Sequence, residues 1–173
     1  MNIAEHIRDI PNFPKEGIVF KDITTLLANP EAMKYVYDTW QDRYRGKVDA
    51  VIGIESRGFI FGATLADRLA LPFVPVRKPG KLPYSTISRE YALEYGTDSL
   101  HIHTDSLEKG QKVVVIDDLL ATGGTAKATA ELIEELGAEI VEMAFVIELS
   151  FIPARTTKLK GYAVHSFVEV ESE

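Results

Sequence analysis

The chain has 173 residues, 46% of them hydrophobic and 26% charged, the proportions of a soluble globular protein with one core. It has no cysteine, which excludes disulfides, thiolate nucleophiles, cysteine zinc sites and iron-sulfur clusters; 26 acidic against 19 basic residues give a net charge of -7 that disfavours a generic nucleic-acid binder. Charges such as Glu5, Arg8 and Asp9 keep every apolar run well short of the ~20 residues that span a bilayer, so a cytoplasmic protein without membrane or nucleic-acid partners is expected.

In chain order, Asn2 can cap a short helix, because Ile3, Ile7 and Ile10 recur at helical spacing before Pro11 stops the run. Residues 17–23 read as extended. Asn29 and Pro30 then open a helix whose Met33, Val36, Tyr37, Trp40 and Tyr44 share one face up to Gly46. The apolar run Ala50–Ile54 predicts a strand, Glu55-Ser56-Arg57-Gly58 a loop, and Phe59, Ile60, Leu65, Ala66 and Leu69 a helix. Phe73–Val76 is the next strand. Residues 78–90 hold Pro79, Gly80, Pro83, Ser85, Thr86 and Ser88 without any period, which predicts a mobile loop. Tyr91, Leu93 and Tyr95 alternate, as do Leu100, Ile102 and Thr104, which predicts an antiparallel excursion. Residues 113–116 form a β-branched apolar run suited to a strand covered on both faces. Ala128, Leu132, Ile133 and Leu136 make a helical stripe ending at Gly137; residues 140–147 and 162–170 read as the last strands. Alternating strands and helices imply an α/β fold around a mostly parallel sheet, and no repeat or linker divides residues 1–173 into more than one domain.

The densest chemistry lies in residues 113–125. Asp117 and Asp118 follow the apolar run directly, and Ala121, Thr122, Gly123, Gly124 and Thr125 turn into the next helix. Ligands of an open α/β sheet bind at that edge. The two glycines free the backbone to aim successive N–H groups at one anion, the threonines add hydroxyl donors, and the helix N-terminus favours negative charge, so a monophosphate fits. Carboxylates would repel that phosphate; Asp117 and Asp118 suit hydroxyl donors such as a ribose diol, or positive charge developing on the sugar ring. An ordinary strand end followed by a helix cap would use the same residue types. A second concentration of charge, Arg77, Lys78 and Lys81, places three cations within five residues beside the aperiodic loop.

The stretch 113–125 resembles the phosphoribosyl-pyrophosphate motif of the type I phosphoribosyltransferases. Gly17-Ile18-Val19-Phe20-Lys21-Asp22-Ile23, Glu55-Ser56-Arg57-Gly58-Phe59, Arg77-Lys78-Pro79-Gly80-Lys81-Leu82-Pro83 and Leu93-Glu94-Tyr95-Gly96 are similar, in sequence and order, to the members that use adenine. The resemblance implies that fold, with residues 1–28 contributing a hood over the base site and 78–90 a mobile lid. It implies transfer of a phosphoribosyl group to adenine, giving AMP and pyrophosphate, in a homodimer, with Mg2+ held mainly by the substrate and by no protein side chain. It assigns the 5'-phosphate to Ala121, Thr122, Gly123, Gly124 and Thr125, and the ribose hydroxyls to Asp117 and Asp118.

On the same footing, Ser56, Arg57, Arg77, Lys78 and Lys81 would bind pyrophosphate, with a non-proline cis peptide between Glu55 and Ser56. Arg57 could equally make a surface ion pair, and the basic cluster could be a solvated face. Glu94 is, by alternation alone, an outward-facing strand residue; the resemblance makes it the general acid/base for the imidazole proton of adenine. Val19, Phe20 and Lys21 would meet the base from one side and Leu119 from the other, Phe20 by stacking unless it is an ordinary core aromatic. His101 and His103 share a strand face but have no third ligand in view, so they read as structural. Two rivals differ in class: a non-catalytic sensor of phosphoribosyl pyrophosphate that binds nucleic acid, which the acidic charge opposes, and a receiver-type phosphoacceptor, which gives the Thr-Gly-Gly-Thr turn no role. Phe151-Ile152-Pro153-Ala154-Arg155 departs from the Gly-Arg stretch that the family carries there.

Overall fold

The computed structural model describes residues 1–93 and 95–172. Asn2 caps a 3-10 turn at Ile3–His6, its side chain accepting from the Ala4 amide at 3.2 Å. The expected helix stops there. Ile7 is already extended, and strand β1 (Arg8–Pro11) pairs antiparallel with β2 (Val19–Asp22), Arg8 opposite Asp22. The Arg8 guanidinium donates to Asp22 at 2.6 Å across that pair, and cross-strand pairing wins over the helical spacing of the isoleucines. After α1 (Thr24–Leu27), α2 (Pro30–Tyr44) begins as expected, Asn29 accepting from the Ala32 amide at 3.0 Å and Pro30 occupying the first turn.

The remaining elements are β3 (Ala50–Ile54), α3 (Gly58–Leu69), β4 (Phe73–Val76), β5 (Thr86–Ala92), β6 (Thr97–His103), β7 (Lys112–Leu120), α4 (Gly124–Glu135), β8 (Glu139–Leu149) and β9 (Val164–Val170). The main sheet is parallel in the order β4-β3-β7-β8-β9, beside the separate hairpins β1-β2 and β5-β6. From β3 the chain runs outward to β4, whereas from β7 it runs the other way to β8. The crevice between the C-terminal ends of β3 and β7 is therefore the topological switch point, where open α/β sheets place their ligands.

Two apolar layers cover the sheet. Val51, Val114, Ile116 and Ala144 pack with Val36, Trp40, Phe61 and Leu65 of α2 and α3. Ile52, Val113, Val115 and Phe145 pack with Ala128, Leu132 and Ile133 of α4 and with Leu100 and Ile102 of β6. Each such side chain taken fully out of water contributes roughly 1.5–3 kcal/mol before the entropy of ordering it.

Three predicted boundaries move. Strand β7 runs through both aspartates to Leu120, because its pairing with β8 continues to Leu120 opposite Glu148. Val113 and Val115 face the α4 layer and Val114 and Ile116 the α3 layer, yet at the strand's end Leu119 packs with the α3 layer and Leu120 with the α4 layer. The alternation thus reverses across Asp117 and Asp118. Strand β5 starts at Thr86, inside the segment read as loop, and stops at Ala92, since its partners run from His103 back to Thr97. His101 and His103 stay structural: the first lies 3.1 Å from Ser99 Oγ, and Nε2 of the second accepts from the Tyr84 amide at 3.3 Å.

Beneath β8 and β9 lies a buried polar network. Glu142 accepts two hydrogen bonds from Arg43, at 2.6 and 2.7 Å, and one from the Tyr44 hydroxyl at 2.5 Å. Nearby, the chain's single tryptophan, Trp40, donates its indole N–H to Nδ1 of His165 at 3.2 Å, which requires that nitrogen to be unprotonated. Burial, then the charge of Arg43 and that of Arg155, lower the His165 pKa; Glu142 opposes them. The folded imidazole binds fewer protons than the unfolded one, so its contribution is complete above the unfolded pKa of about 6.5 and is lost as pH falls from there through the lower folded value. Thermal unfolding between pH 7.5 and 5 should therefore show a falling Tm together with a change in Trp40 fluorescence, and His165→Gln should flatten both. A variant with the wild-type pH slope would remove His165 from this behaviour.

Candidate active site

At the switch point the loop after β3 and the turn after β7 enclose a cavity of about 350 Å³. It is lined by Ser56 and Arg57 from the first, by Asp117, Asp118 and Leu119 from the end of β7, and by Ala121, Thr122, Gly123 and Thr125 from the turn. Glu55, Leu120 and Ala126 line it too, as does Phe145 on β8, which no sequence signal distinguished from the other core aromatics. The Glu55-Ser56 peptide is cis.

The turn has the properties of an anion seat. Gly123 has φ +84°, a left-handed conformation that side chains resist. No side chain caps α4, and its first turn holds no acid, so its leading amides keep their hydrogen-bonding capacity and the helix dipole is not neutralised locally. Thr122 is exposed and Thr125 half-buried.

The two aspartates line one cleft in different settings. Asp118, 6% exposed, accepts a hydrogen bond from Nε of Arg57. Asp117 is half-buried. Its Oδ1 accepts from the Asp118 amide at 2.9 Å, and it lies 2.9 Å from the position a Cβ on Gly58 would occupy. Desolvation by the surrounding protein, then the charge of Asp118, push the Asp117 carboxyl well above the usual range; Arg57 partly opposes this.

Most of the predicted cations are already paired. Arg57 holds Asp118, and Arg77 donates to Glu55 at 3.1 Å while stacking over Phe59 at 5.6 Å. Lys78 donates to Asp98 and to the Tyr91 hydroxyl. Burial would raise the Glu55 carboxyl, but the Lys78 amide at 2.9 Å and Arg77 outweigh it and bring it below its ordinary value. Lys81 is exposed and has no ion-pair partner among the described residues. Sequence reasoning missed Glu55, Tyr91 and Asp98 as holders of these cations. Only Glu55 carried a signal, as the immediate neighbour of Ser56 and Arg57.

The predicted base contacts do not share one cavity. Leu119 lines the cleft, whereas Val19 and Lys21 line a second cavity of about 550 Å³ with Leu149, Phe151, Ile152 and Val170. Lys21 is tied to Asp9 at 2.7 Å, and the Phe20 ring meets Phe13 edge-on at 5.1 Å. Glu94 lies outside the described residues; on either side of it, the Leu93 amide donates to the Gly96 carbonyl at 3.0 Å. No group of three or more His, Cys, Asp or Glu side chains among the described residues is placed to share a metal ion, and none of their helices is long and apolar enough to cross a membrane.

The sequence profile of the phosphoribosyl transferase domain matches residues 22–171. An adenine phosphoribosyltransferase from Acetivibrio thermocellus is 54% identical over 171 residues, covering 98% of this chain and 99% of its own. Among solved structures, the adenine phosphoribosyltransferase of Thermoanaerobacter pseudethanolicus superposes with a TM-score of 0.91 at 52% identity, covering 96% of this chain and 97% of its own. That of Saccharomyces cerevisiae, complexed with D-2,5-dideoxy-2,5-imino-altritol 1,6-bisphosphate and adenine, gives a TM-score of 0.91 at 39% identity, covering 95% of this chain and 96% of that one.

Proposed function

The chain belongs to the phosphoribosyl transferase family, as an enzyme that transfers the phosphoribosyl group of 5-phosphoribosyl 1-pyrophosphate to adenine, giving AMP and pyrophosphate, and we propose how its residues divide that work. The observation that carries the proposal is the cleft at the switch point, where an uncapped glycine turn and an acid pair face a loop bearing Arg57. The 5'-phosphate sits on the amides of residues 121–125, with the hydroxyls of Thr122 and Thr125 as further donors. Asp118 accepts from a ribose hydroxyl, and in doing so releases Arg57 to the pyrophosphate. Asp117, as the carboxylate, accepts from the neighbouring hydroxyl and steadies the positive charge that grows on the ring as pyrophosphate departs.

Ser56, Arg57, Arg77, Lys78 and Lys81 receive the leaving pyrophosphate, Arg57, Arg77 and Lys78 exchanging their carboxylate partners for its oxygens. The magnesium ion that the family implies fits this chemistry as a companion of the substrate, since no group of three or more His, Cys, Asp or Glu side chains among the described residues is placed to share it and the hard oxygens of pyrophosphate are suitable ligands. It would neutralise charge on the leaving group. Residues 78–85, with β5 behind them, form the lid that keeps water from the reacting sugar. Adenine enters between the hood residues Val19, Phe20 and Lys21 and Leu119, which requires the hood to bring its cavity against the cleft. Glu94 takes or shares the imidazole proton. A homodimer in the cytoplasm is the assembly and location that the family implies.

The test is an assay with magnesium, phosphoribosyl pyrophosphate and a panel of bases. AMP and pyrophosphate should form from adenine. Hypoxanthine, which offers a carbonyl where adenine offers an amino group and leaves a buried protein carbonyl unpaired, should react at least ~100-fold more slowly. Comparable rates for the two bases would overturn the assignment of adenine to the site formed by Val19, Phe20, Lys21 and Leu119.

A further inference from the structure

Between β8 and β9, residues 151–163 pack behind the turn that opens α4. Arg155 pins this segment, donating to Glu148 through two 2.6 Å hydrogen bonds, to the Val164 carbonyl at 2.8 Å and to Ser166 Oγ at 3.2 Å. Ala154 and Leu159 are buried, and the Leu159 amide donates to the Ala154 carbonyl at 2.9 Å. A Cβ on Gly123 would lie 3.2 Å from Cβ of Ala154, 3.5 Å from Cβ of Lys158 and 3.6 Å from Cγ of Leu159, so the segment rests on the turn itself. Packing at this range carries the Lys158 ammonium to the start of α4, where its Nζ lies 3.8 Å from the Cβ position of Gly124.

That ammonium is uncommitted. Lys158 is exposed and has no hydrogen-bond or ion-pair partner among the described residues. Lys127, the other lysine near the start of α4, lies 5.4 Å over the Tyr162 ring and 3.8 Å from Glu131. The five residues of the turn are all neutral, and Arg57, Arg77 and Lys78 are engaged with Asp118, Glu55 and Asp98. A phosphate dianion seated on the turn has amides, hydroxyls and a helix dipole there, with the Lys158 ammonium at the start of the same helix.

We propose that Lys158 is a further binding residue for the 5'-phosphate, held at the turn by the packing of Ala154 and Leu159 on Gly123 and by the anchoring of Arg155. This rests on the reading that the phosphate occupies residues 121–125. Its charge acts on the phosphorylated end of phosphoribosyl pyrophosphate and of AMP and leaves the base untouched.

The experiment compares the affinities of AMP and adenosine, by calorimetric titration, for the wild type, Lys158→Gln, Lys158→Arg and Thr125→Val, with thermal unfolding of each. Lys158→Gln should weaken AMP about tenfold, the scale of one charge-assisted hydrogen bond, leave adenosine and Tm unchanged, and be largely rescued by Lys158→Arg. If Thr125→Val weakens AMP selectively and Lys158→Gln does not, the lysine assignment fails while the turn keeps its phosphate. If Lys158→Gln weakens AMP and adenosine alike, the lysine is structural and the proposal is overturned. If neither variant separates the two ligands, the phosphate lies elsewhere and both readings fall.

Discussion

Replacing Glu94 with glutamine or alanine is expected to lower kcat by about two orders of magnitude or more, with Tm and the affinity for phosphoribosyl pyrophosphate unchanged. Adenine attacks the anomeric carbon through one imidazole nitrogen and must lose a proton, and a carboxylate beside the ring can accept or share it. Glutamine keeps the size and the hydrogen bonding but cannot take that proton. The neighbours Leu93 and Tyr95 are 48% and 84% exposed. Steady-state kinetics with both substrates varied gives the answer. Turnover like that of the wild type would take Glu94 out of the mechanism.

Gly58→Ala should damage stability and catalysis together. An alanine Cβ there would lie 2.9 Å from the Ile116 carbonyl oxygen, 2.9 Å from Oδ1 of Asp117 and 3.2 Å from its Cα. Two of those atoms belong to the backbone of β7, so no side-chain rotation relieves the contact, and the start of α3 has to move away from the sheet. Overpacking of this kind costs about 1–3 kcal/mol, or roughly 2–12 °C in Tm for a chain of this size. Arg57 directly precedes Gly58, and the displaced carboxyl is that of Asp117, so both sides of the cleft shift. A misplacement near 1 Å costs about 100-fold in rate, which is the expected fall in kcat/KM. The scanning calorimetry and the kinetics must agree; an alanine variant with unaltered Tm and full activity would mean that α3 can slide without cost.

The contrast between Gly58 and Gly123 shows what one-dimensional reading can reach. Gly123 stands in a Thr-Gly-Gly-Thr turn after a strand and before a helix, so its unusual φ follows from local pattern alone. Gly58 looks in sequence like any glycine at a helix start, and its necessity comes from β7, almost sixty positions away, passing within contact of its Cα. Arg57 and Asp118 are similar. Each was legible as a ligand group from its own motif, whereas their pairing in the free protein depends on β3 and β7 being neighbours in the sheet. Lys158 had no local signal, because its relation to the turn exists only through the packing of residues 151–163 on Gly123.

Local order of residues was enough for the α/β class, the limits of β3, β4 and α2, the glycine turn that opens α4 and the candidate acid pair, since each depends on periodicity, capping or backbone freedom over a short stretch of chain. Tertiary structure alone decided the passage of β7 through its two aspartates, the end of the N-terminal helical turn at His6 and the pairing of Arg8–Pro11 as a strand, the neutralisation of Arg57, Arg77 and Lys78 by distant carboxylates, and the separation of Val19 and Lys21 from Leu119 into two cavities. Those outcomes rest on pairing and desolvation between segments far apart in the chain. Which partner a strand or a charge finds is set by the competition among all of them at once, and no short window of sequence contains the competitors.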